Sequence, residues 1–184
     1  MRGGSDDARL ARLAADGDPD AFGALVERHA GPARRVARTI LDDPHDADDA
    51  AQDGFLAAWR AIDRYDPRQP FAPWLLRIVI NEARDLRRRR TVRSTTSIPP
   101  SFEAAGLSPE AATDAALMGD RLRAALGTLP ERQRMVVMLF DAEGWAHAEI
   151  GALLGIPEGT VRSDLHHARR ALRQSLEGLW KERS

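Results

Sequence analysis

Basic and polar side chains recur on one face of a predicted helix near the end of the chain, and their chemistry suits a nucleic acid. They are Arg162, Ser163, His166, His167, Arg169, Arg170 and Arg173. Arginine can pair with phosphate or with a guanine edge, and serine can hydrogen-bond to several bases. Apolar residues fall between them at helical spacing, which predicts that they face inward. These are Val161, Leu165, Ala168 and Leu172.

The element that must position this face is a shorter helix just before it. Leu153 and Leu154 belong to its apolar stripe, and Gly155 suits the left-handed C-cap that ends it. Ile156 fills the corner, and Pro157 suits the first turn of the next helix because its missing N–H would be unpaired there. The sequence therefore predicts a helix-turn-helix, whose second helix fits the major groove of DNA.

Composition limits the remaining classes of protein. The chain has 184 residues and a net charge of -1. It contains no cysteine, which excludes disulfides and thiolate metal sites. Its first residues are too charged for a signal peptide, and no apolar run approaches the roughly 20 residues that span a bilayer. We therefore expect a cytoplasmic protein.

The near-zero net charge hides two blocks of opposite sign. The acidic block holds Asp42, Asp43, Asp46, Asp48, Asp49 and Asp53. The basic block holds Arg84, Arg87, Arg88, Arg89, Arg90 and Arg93. Opposite patches predict two kinds of partner, a basic protein surface and a phosphate backbone.

Helical periodicity predicts an all-α chain of two small helical domains joined by a flexible linker, the C-terminal one containing the helix-turn-helix. We expect domains over residues 1–90 and 114–184, with a linker over 91–113 where serine, threonine and proline are frequent. Predicted helices cover residues 7–16, 47–62, 71–90, 115–126 and 130–140, and a long amphipathic helical pattern runs from Phe22 to Ile40. Gly31-Pro32 is a candidate kink in the second helix.

Four longer motifs follow one another along the chain. They are GDPDAFGALVERH, then DDPHDADDAAQDGFLAAWRAI, then FAPWLLRIVINEARDLRRRR, and last LPERQRMVVMLFDAEGWAHAEIGALLGIPEGTVRSDLHHARRAL. In this order they resemble the extracytoplasmic-function (ECF) sigma factors of bacterial RNA polymerase. The second is similar to the family's acidic docking helix, the third to its promoter-melting and -10-reading helix, and the fourth to its -35-reading domain.

This resemblance implies a protein that binds core RNA polymerase, places it on a promoter and helps to separate the strands. The implied partners are core RNA polymerase, through its clamp and flap surfaces, promoter DNA, and an anti-sigma factor. No catalytic residue, cofactor or metal is implied. The polymerase-binding residues carried over from the family are Asp46, Asp48, Asp49, Gln52 and Asp53.

The resemblance also assigns DNA contacts to both domains. Those expected at the -10 element are Tyr65, Arg77, Asn81, Arg84, Arg87 and Arg88. Those expected at the -35 element are Thr160, Arg162, Ser163, His166, His167 and Arg169. Tyr65 takes the place of a melting-loop aromatic and Asn81 that of a flipped-base pocket residue, whereas the helical spacing of Trp74 favours core packing.

Asp164 departs from the family, many of whose members have arginine at this position. A carboxylate that faces DNA repels phosphate, so we expect a -35 contact that is weaker, differently specific, or partly supplied by another protein. His166 and His167 add a second hypothesis, that binding depends on pH, because imidazole titrates near neutrality.

Two other classes of protein compete with this interpretation. A stand-alone helix-turn-helix regulator would bind operator DNA as a dimer, but it has no use for an acidic docking helix or a melting segment. An enzyme with a metal at His45, Asp46, Asp48 and Asp49 is the second alternative. The spacing of these residues fits no recurrent catalytic arrangement, because the carboxylates point around a helix and do not converge.

Overall fold

The computed structural model of the chain describes residues 4–96 and 114–181, and helices account for most of them. The helices are α1 (Gly4–Ala15), α2 (Pro19–Arg38), α3 (Pro44–Ala61), α4 (Phe71–Thr96), α5 (Asp114–Gly127), α6 (Glu131–Val137), α7 (His147–Leu154) and α8 (Glu158–Lys181). A 3-10 turn (Ile62–Arg64) follows α3, and a π-helical turn (Met138–Ala142) follows α6. The all-α prediction is confirmed, since no strand occurs in these two ranges.

Helices α1 to α4 form an N-terminal domain whose helix starts are set by short capping sequences. Asp18 and Asp43 each accept hydrogen bonds from two backbone N–H groups of the following turn, and a proline comes next in each case. These caps satisfy donors that would otherwise lack a partner. The buried side chains behind them include Leu25, Val36, Phe71, Leu75 and Val79.

Helices α3 and α4 approach each other closely at Gly54. A Cβ atom at this position would lie 2.7 Å from Cγ2 of Val79 and 3.1 Å from its Cα. Only glycine allows the two backbones to come this near, and that fixes how α4 lies against the acidic helix.

Helices α5 to α8 form a C-terminal domain around Met135, Leu139, Ile150 and Val161. The predicted helix-turn-helix is confirmed: α7 ends at Gly155, which has the left-handed φ of +69°. Gly151, which no sequence pattern marks as special, also shapes the turn. A Cβ there would lie 2.8 Å from the carbonyl oxygen of Ile156.

The predicted end of α4 was wrong. Helix α4 runs to Thr96, so the first six residues of the predicted linker are helical, and residues 97–113 lie outside the described part of the chain. Helix α2 is continuous through Gly31 and Pro32. Within the described ranges, the helices are too short or too polar to cross a membrane.

Candidate nucleic-acid interfaces and the acidic helix

The outer face of α8 is exposed and basic, as its periodicity predicted. Arg162, Ser163, His166 and His167 all reach solvent, while Val161 and Leu165 on the other face are buried. A groove of about 560 Å³ runs along the basic side and is lined by His147, Arg162, Leu165, His166, Arg169, Arg170, Arg173 and Gln174. Arg162 pairs with Glu158 one turn earlier on this surface, an exposed contact that DNA can displace.

Arg169 is held more firmly than its neighbours. Its Nε lies 3.2 Å from Oδ2 of Asp141, its Nη2 pairs with Oδ1, and its guanidinium lies 5.2 Å from the ring centroid of Phe140. The hydrogen bond to Asp141 raises the pKa of Arg169. Phe140 in turn stacks on His147 at 4.6 Å. Sequence reasoning missed these partners because they come from the π-helical turn and α7.

Asp164 does not face outward, so the expectation that it repels DNA phosphate was wrong. It is 5% exposed and accepts from Arg132 of α6, with Nε to Oδ2 at 2.6 Å and Nη2 to Oδ1 at 3.2 Å. This pair raises the pKa of Arg132. Asp164 lies three residues after Val161 and four before Ala168, so helical spacing already assigned it to the inward face.

The -10 candidates on α4 lie on one side of the helix, and most of them already have protein partners. Arg84 and Arg87 donate to Glu131 of α6, and Arg77 donates to the carbonyl oxygen of Ala152 on α7 at 2.9 Å. Arg88 pairs with Asp85 on its own helix, and Asn81 is exposed. Sequence reasoning found these arginines but not their partners, which are more than 40 residues away in each interdomain case.

Tyr65 is not presented to solvent as a melting-loop aromatic would be. It is 6% exposed, and its hydroxyl donates to the carbonyl oxygen of Gln69. Its ring lies 5.4 Å from that of Phe71 and 5.1 Å from that of Trp74. Burial raises the pKa of the Tyr65 phenol. Trp74 is half-buried in this aromatic cluster of Tyr65, Phe71 and Trp74, in the packing role that its spacing predicted.

The acidic face of α3 consists of Asp48, Asp49, Gln52 and Asp53, all of them exposed. Asp46 differs, because it is 4% exposed and its carboxylate pairs with Arg90 of α4. Burial raises the pKa of this carboxyl despite the arginine. Next to the acidic face lies an apolar groove of about 340 Å³, which sequence reasoning did not identify; it is lined by Pro19, Phe22, Val26, Gln52, Phe55, Leu56 and Trp59.

Two family matches divide the chain as the helical domains do. Residues 25–93 match the family described as Sigma-70 region 2, and residues 119–172 match Sigma-70, region 4. The ECF RNA polymerase sigma factor SigW of Bacillus subtilis is 31% identical over 173 residues, covering 89% of this chain and 92% of SigW. The chain belongs to the ECF RNA polymerase sigma factors.

Other relatives match this sigma factor along nearly its whole length. The RNA polymerase sigma factor NccH of Alcaligenes xylosoxydans xylosoxydans is 38% identical over 178 residues, covering 94% of this chain and 96% of NccH. A solved structure of CnrH in complex with the cytosolic domain of CnrY is 34% identical, with a TM-score of 0.71. That match covers 94% of this chain and 97% of CnrH.

Membership of this family favours promoter-directing activity over the alternatives. A stand-alone operator-binding regulator is not favoured, because the region 2 match spans most of α2 and all of α3, elements for which such a regulator has no use. The family is one of regulatory DNA-binding proteins. In the described ranges, His45 is exposed at the start of α3, and there is no group of three His, Asp or Glu side chains that could hold a metal ion.

Proposed function

We propose that this sigma factor directs core RNA polymerase to promoters through three separate surfaces. The exposed acidic face of α3 binds polymerase, the basic side of α4 contacts the -10 element, and the outer face of α8 reads the -35 element. The observation that carries this assignment is that the region 2 and region 4 matches coincide with the two domains bearing these oppositely charged surfaces.

On α3, the proposed polymerase contacts are Asp48, Asp49, Gln52 and Asp53. All four are exposed on one helix, so they can meet a basic protein surface together. Asp46 is left out of this set, because a buried carboxylate paired with Arg90 cannot reach a partner without breaking that pair. Its role is to hold α3 against the C-terminal half of α4.

On α4, the proposed -10 contacts are Arg77, Arg84, Arg87 and Arg88 to phosphate and Asn81 to a base. Arginine pairs with phosphate through two parallel hydrogen bonds, and an amide can read the edge of an unstacked base. Tyr65 must leave the aromatic cluster before it can stack on a base. We therefore assign the first contacts to the exposed groups of α4.

On α8, the proposed base contacts are Arg162, Ser163, His166 and His167, which lie in the first half of the exposed helix. Thr160 and Arg169 are assigned to phosphate. Nε and Nη2 of Arg169 donate to Asp141, so the phosphate contact must displace this carboxylate or use Nη1.

A regulatory protein partner is also proposed. The relative CnrH was solved bound to the cytosolic domain of CnrY, and this chain covers 97% of that CnrH chain. The family resemblance implies that such a partner of this sigma factor is an anti-sigma factor. The proposed function itself is binding, with no catalytic step and no cofactor, and it takes place in the cytoplasm, where core polymerase acts.

Reconstituted transcription with core polymerase on a selected promoter library tests the -35 assignment. Arg162→Ala should lower promoter-specific initiation about tenfold, because a bidentate base contact is worth about 1–3 kcal/mol. Arg9→Ala removes an exposed arginine of α1 and is the matched control, for which we expect little change. Failure of the unaltered chain to initiate on any template would overturn the proposed function.

Binding of core polymerase tests the acidic face separately from DNA. Asp53→Lys should weaken binding to core enzyme at least about tenfold at low salt, since charge reversal replaces attraction by repulsion. Asp16→Lys makes the same change at an exposed position after α1 and should have little effect. Equal affinities of the two variants would remove α3 from the docking surface.

A further inference from the structure

Two of the four arginines assigned to -10 DNA pair with a carboxylate of the C-terminal domain. Arg84 donates to Oε1 of Glu131 from Nε at 3.1 Å and from Nη2 at 2.8 Å, and Arg87 donates to Oε2 from Nη1 at 2.6 Å. Both oxygens of one carboxylate are therefore used.

A second contact joins the same two domains close by. Arg77 donates to the carbonyl oxygen of Ala152, which lies in the last turn of α7. Carbonyls in the last turn of a helix lack intrahelical partners and carry the negative end of the helix dipole, so they attract a cation. Three of the -10 candidates thus have partners in the C-terminal domain.

The surface behind these contacts is a shallow interdomain crevice. Residues of both domains line its volume of about 310 Å³, among them Ile80 and Asn81 of α4, Met135 of α6 and Leu153 of α7. The basic outer face of α8 lines a different groove. The domain contact therefore engages the proposed -10 surface and leaves the proposed -35 surface open.

One polar group on α6, close to this domain contact, is unsatisfied within the part of the chain that the structure describes. Nε of Arg134 on α6 is buried and has no hydrogen-bond partner in the described ranges. A carboxylate oxygen across the junction, Oδ1 of Asp42, lies 3.8 Å from Nη1 of Arg134. A buried donor without a partner lowers the stability of this arrangement.

We propose that Glu131 holds this sigma factor closed before it meets DNA, by competing with phosphate for Arg84 and Arg87. Carboxylate and phosphate present the same acceptor geometry to arginine, so the two cannot occupy these guanidinium groups together. The inference rests on the proposed -10 role of α4. It predicts that the chain alone binds single-stranded DNA poorly, and that separating the domains restores this binding.

Distance measurements test the closed state. The chain has no cysteine, so Arg60→Cys on α3 and Ala124→Cys on α5, both at exposed positions, give two unique labelling sites for energy transfer. Glu131→Gln keeps the shape of the side chain and removes its charge, and it should lengthen the mean distance between labels. Glu27→Gln, an exposed change on α2, should not. An unchanged distance in Glu131→Gln overturns the proposal.

Binding of single-stranded DNA tests the competition. The probe is a labelled oligothymidylate of about 20 nucleotides, which reports phosphate contacts without a promoter sequence. Glu131→Gln should bind it about three- to tenfold more tightly than the unaltered chain. The same change in an Arg84→Gln/Arg87→Gln background should give no gain. A gain that persists without these arginines overturns the proposal.

A charge swap distinguishes the loss of this ion pair from a general disturbance of α6. Glu131→Arg should separate the domains, and adding Arg87→Glu should bring the labels back together. A swap that leaves them apart overturns the proposed pairing. Arg84→Ala in reconstituted transcription tests the proposed function independently. Normal initiation by Arg84→Ala would show that Arg84 does not contact the -10 element. The distance measurement tests the closed state and does not depend on that result.

Discussion

Asp164 and Arg162 lie two residues apart on α8 and face opposite ways. Arg162 is exposed beside the basic groove, whereas Asp164 is buried against Arg132 of α6. The carboxylate therefore fastens the recognition helix to the domain and does not oppose its DNA contacts. Replacing it with the family's arginine would bring a second cation against Arg132.

The first prediction concerns this buried pair. Asp164→Ala should lower the free energy of unfolding by about 1–3 kcal/mol, because it removes two hydrogen bonds to a charged group. Ser163→Ala, one residue earlier on the exposed face, should change it by less than about 0.5 kcal/mol. Urea denaturation followed by circular dichroism measures both, and equal stabilities would contradict the assigned role of Asp164.

For single residues, the sequence predicted which polar side chains reach the surface better than it predicted which residues they contact. The exposed set Arg162, Ser163, His166 and His167 followed from a period of 3.6 alone, because helix geometry is local. The burial of Tyr65 depends on Phe71 and Trp74, and no short-range pattern states which ring covers which. The assigned roles of all these residues in binding stay predictions.

The helix-turn-helix depends on two glycines with different tasks. Gly155 supplies a positive φ, which its place after the apolar stripe predicted. Gly151 supplies space, because the chain returns over it at Ile156. The second task is invisible in the sequence, since an isolated glycine inside a helical pattern normally only weakens the helix.

The second prediction distinguishes the lack of space for a Cβ atom at Gly151 from the low helix propensity of glycine. Gly151→Ala should destabilise the chain by about 1–3 kcal/mol, because its Cβ would meet the Ile156 carbonyl oxygen at 2.8 Å. Gly159→Ala in the first turn of α8 meets nothing within 4 Å and should stabilise slightly, by about 0.5 kcal/mol. Thermal denaturation shows whether each variant is more or less stable than the unaltered chain. A stabilising effect of Gly151→Ala would refute the close contact.

The third prediction concerns the start of the acidic helix α3. Asp43 accepts from the N–H groups of Asp46 and His45, and these hydrogen bonds lower its pKa below the usual 3.8. The cap is therefore complete at neutral pH and is lost only as pH falls through the lowered pKa. Asp43→Ala should cost about 1 kcal/mol at neutral pH.

The control for this cap is Asp43→Asn, whose amide oxygen still accepts the backbone hydrogen bonds but does not titrate. It should keep most of the stability at neutral pH. The difference between Asp43→Ala and the unaltered chain should shrink toward pH 3, whereas the difference between Asp43→Ala and Asp43→Asn should not. A pH-independent loss would show that the charge of Asp43 is irrelevant.

At the scale of the whole molecule, the two domains meet through arginines. Arg84 and Arg87 reach Glu131, Arg77 reaches Ala152, and Arg35 of α2 reaches Glu143 beyond the π-helical turn. The sequence predicted two domains because periodicity stops between them. It could not predict their contact, because pairing across more than 40 residues leaves no local pattern.

The fourth prediction is the pH dependence of this contact. Burial raises the pKa of Glu131, but hydrogen bonds from Arg84 and Arg87 outweigh it and leave the pKa below the usual 4.5. The contact is thus at full strength at neutral pH and weakens only as acid protonates Glu131 below that value. Energy transfer between the two labels should stay level from neutral to mildly acidic pH and fall only as the pH is lowered below 4.5.

Glu131→Gln is the control for that titration. Because glutamine does not ionise, its distance between labels should already be long at neutral pH and should change less with acid. A parallel response of both proteins would show that Glu131 does not cause the transition.

The aromatic cluster makes the chain a source of its own optical signal. The indole of Trp74 lies against Tyr65 and Phe71 in the N-terminal domain, whereas Trp145 lies after the π-helical turn in the C-terminal domain. Any rearrangement that withdraws Tyr65 from its neighbours must change the surroundings, and hence the emission, of Trp74. In a chain whose Trp59 and Trp180 are replaced by phenylalanine, the time course of emission of Trp74→Phe and Trp145→Phe variants would then show, without an added dye, which half of the molecule responds first when promoter DNA is mixed in.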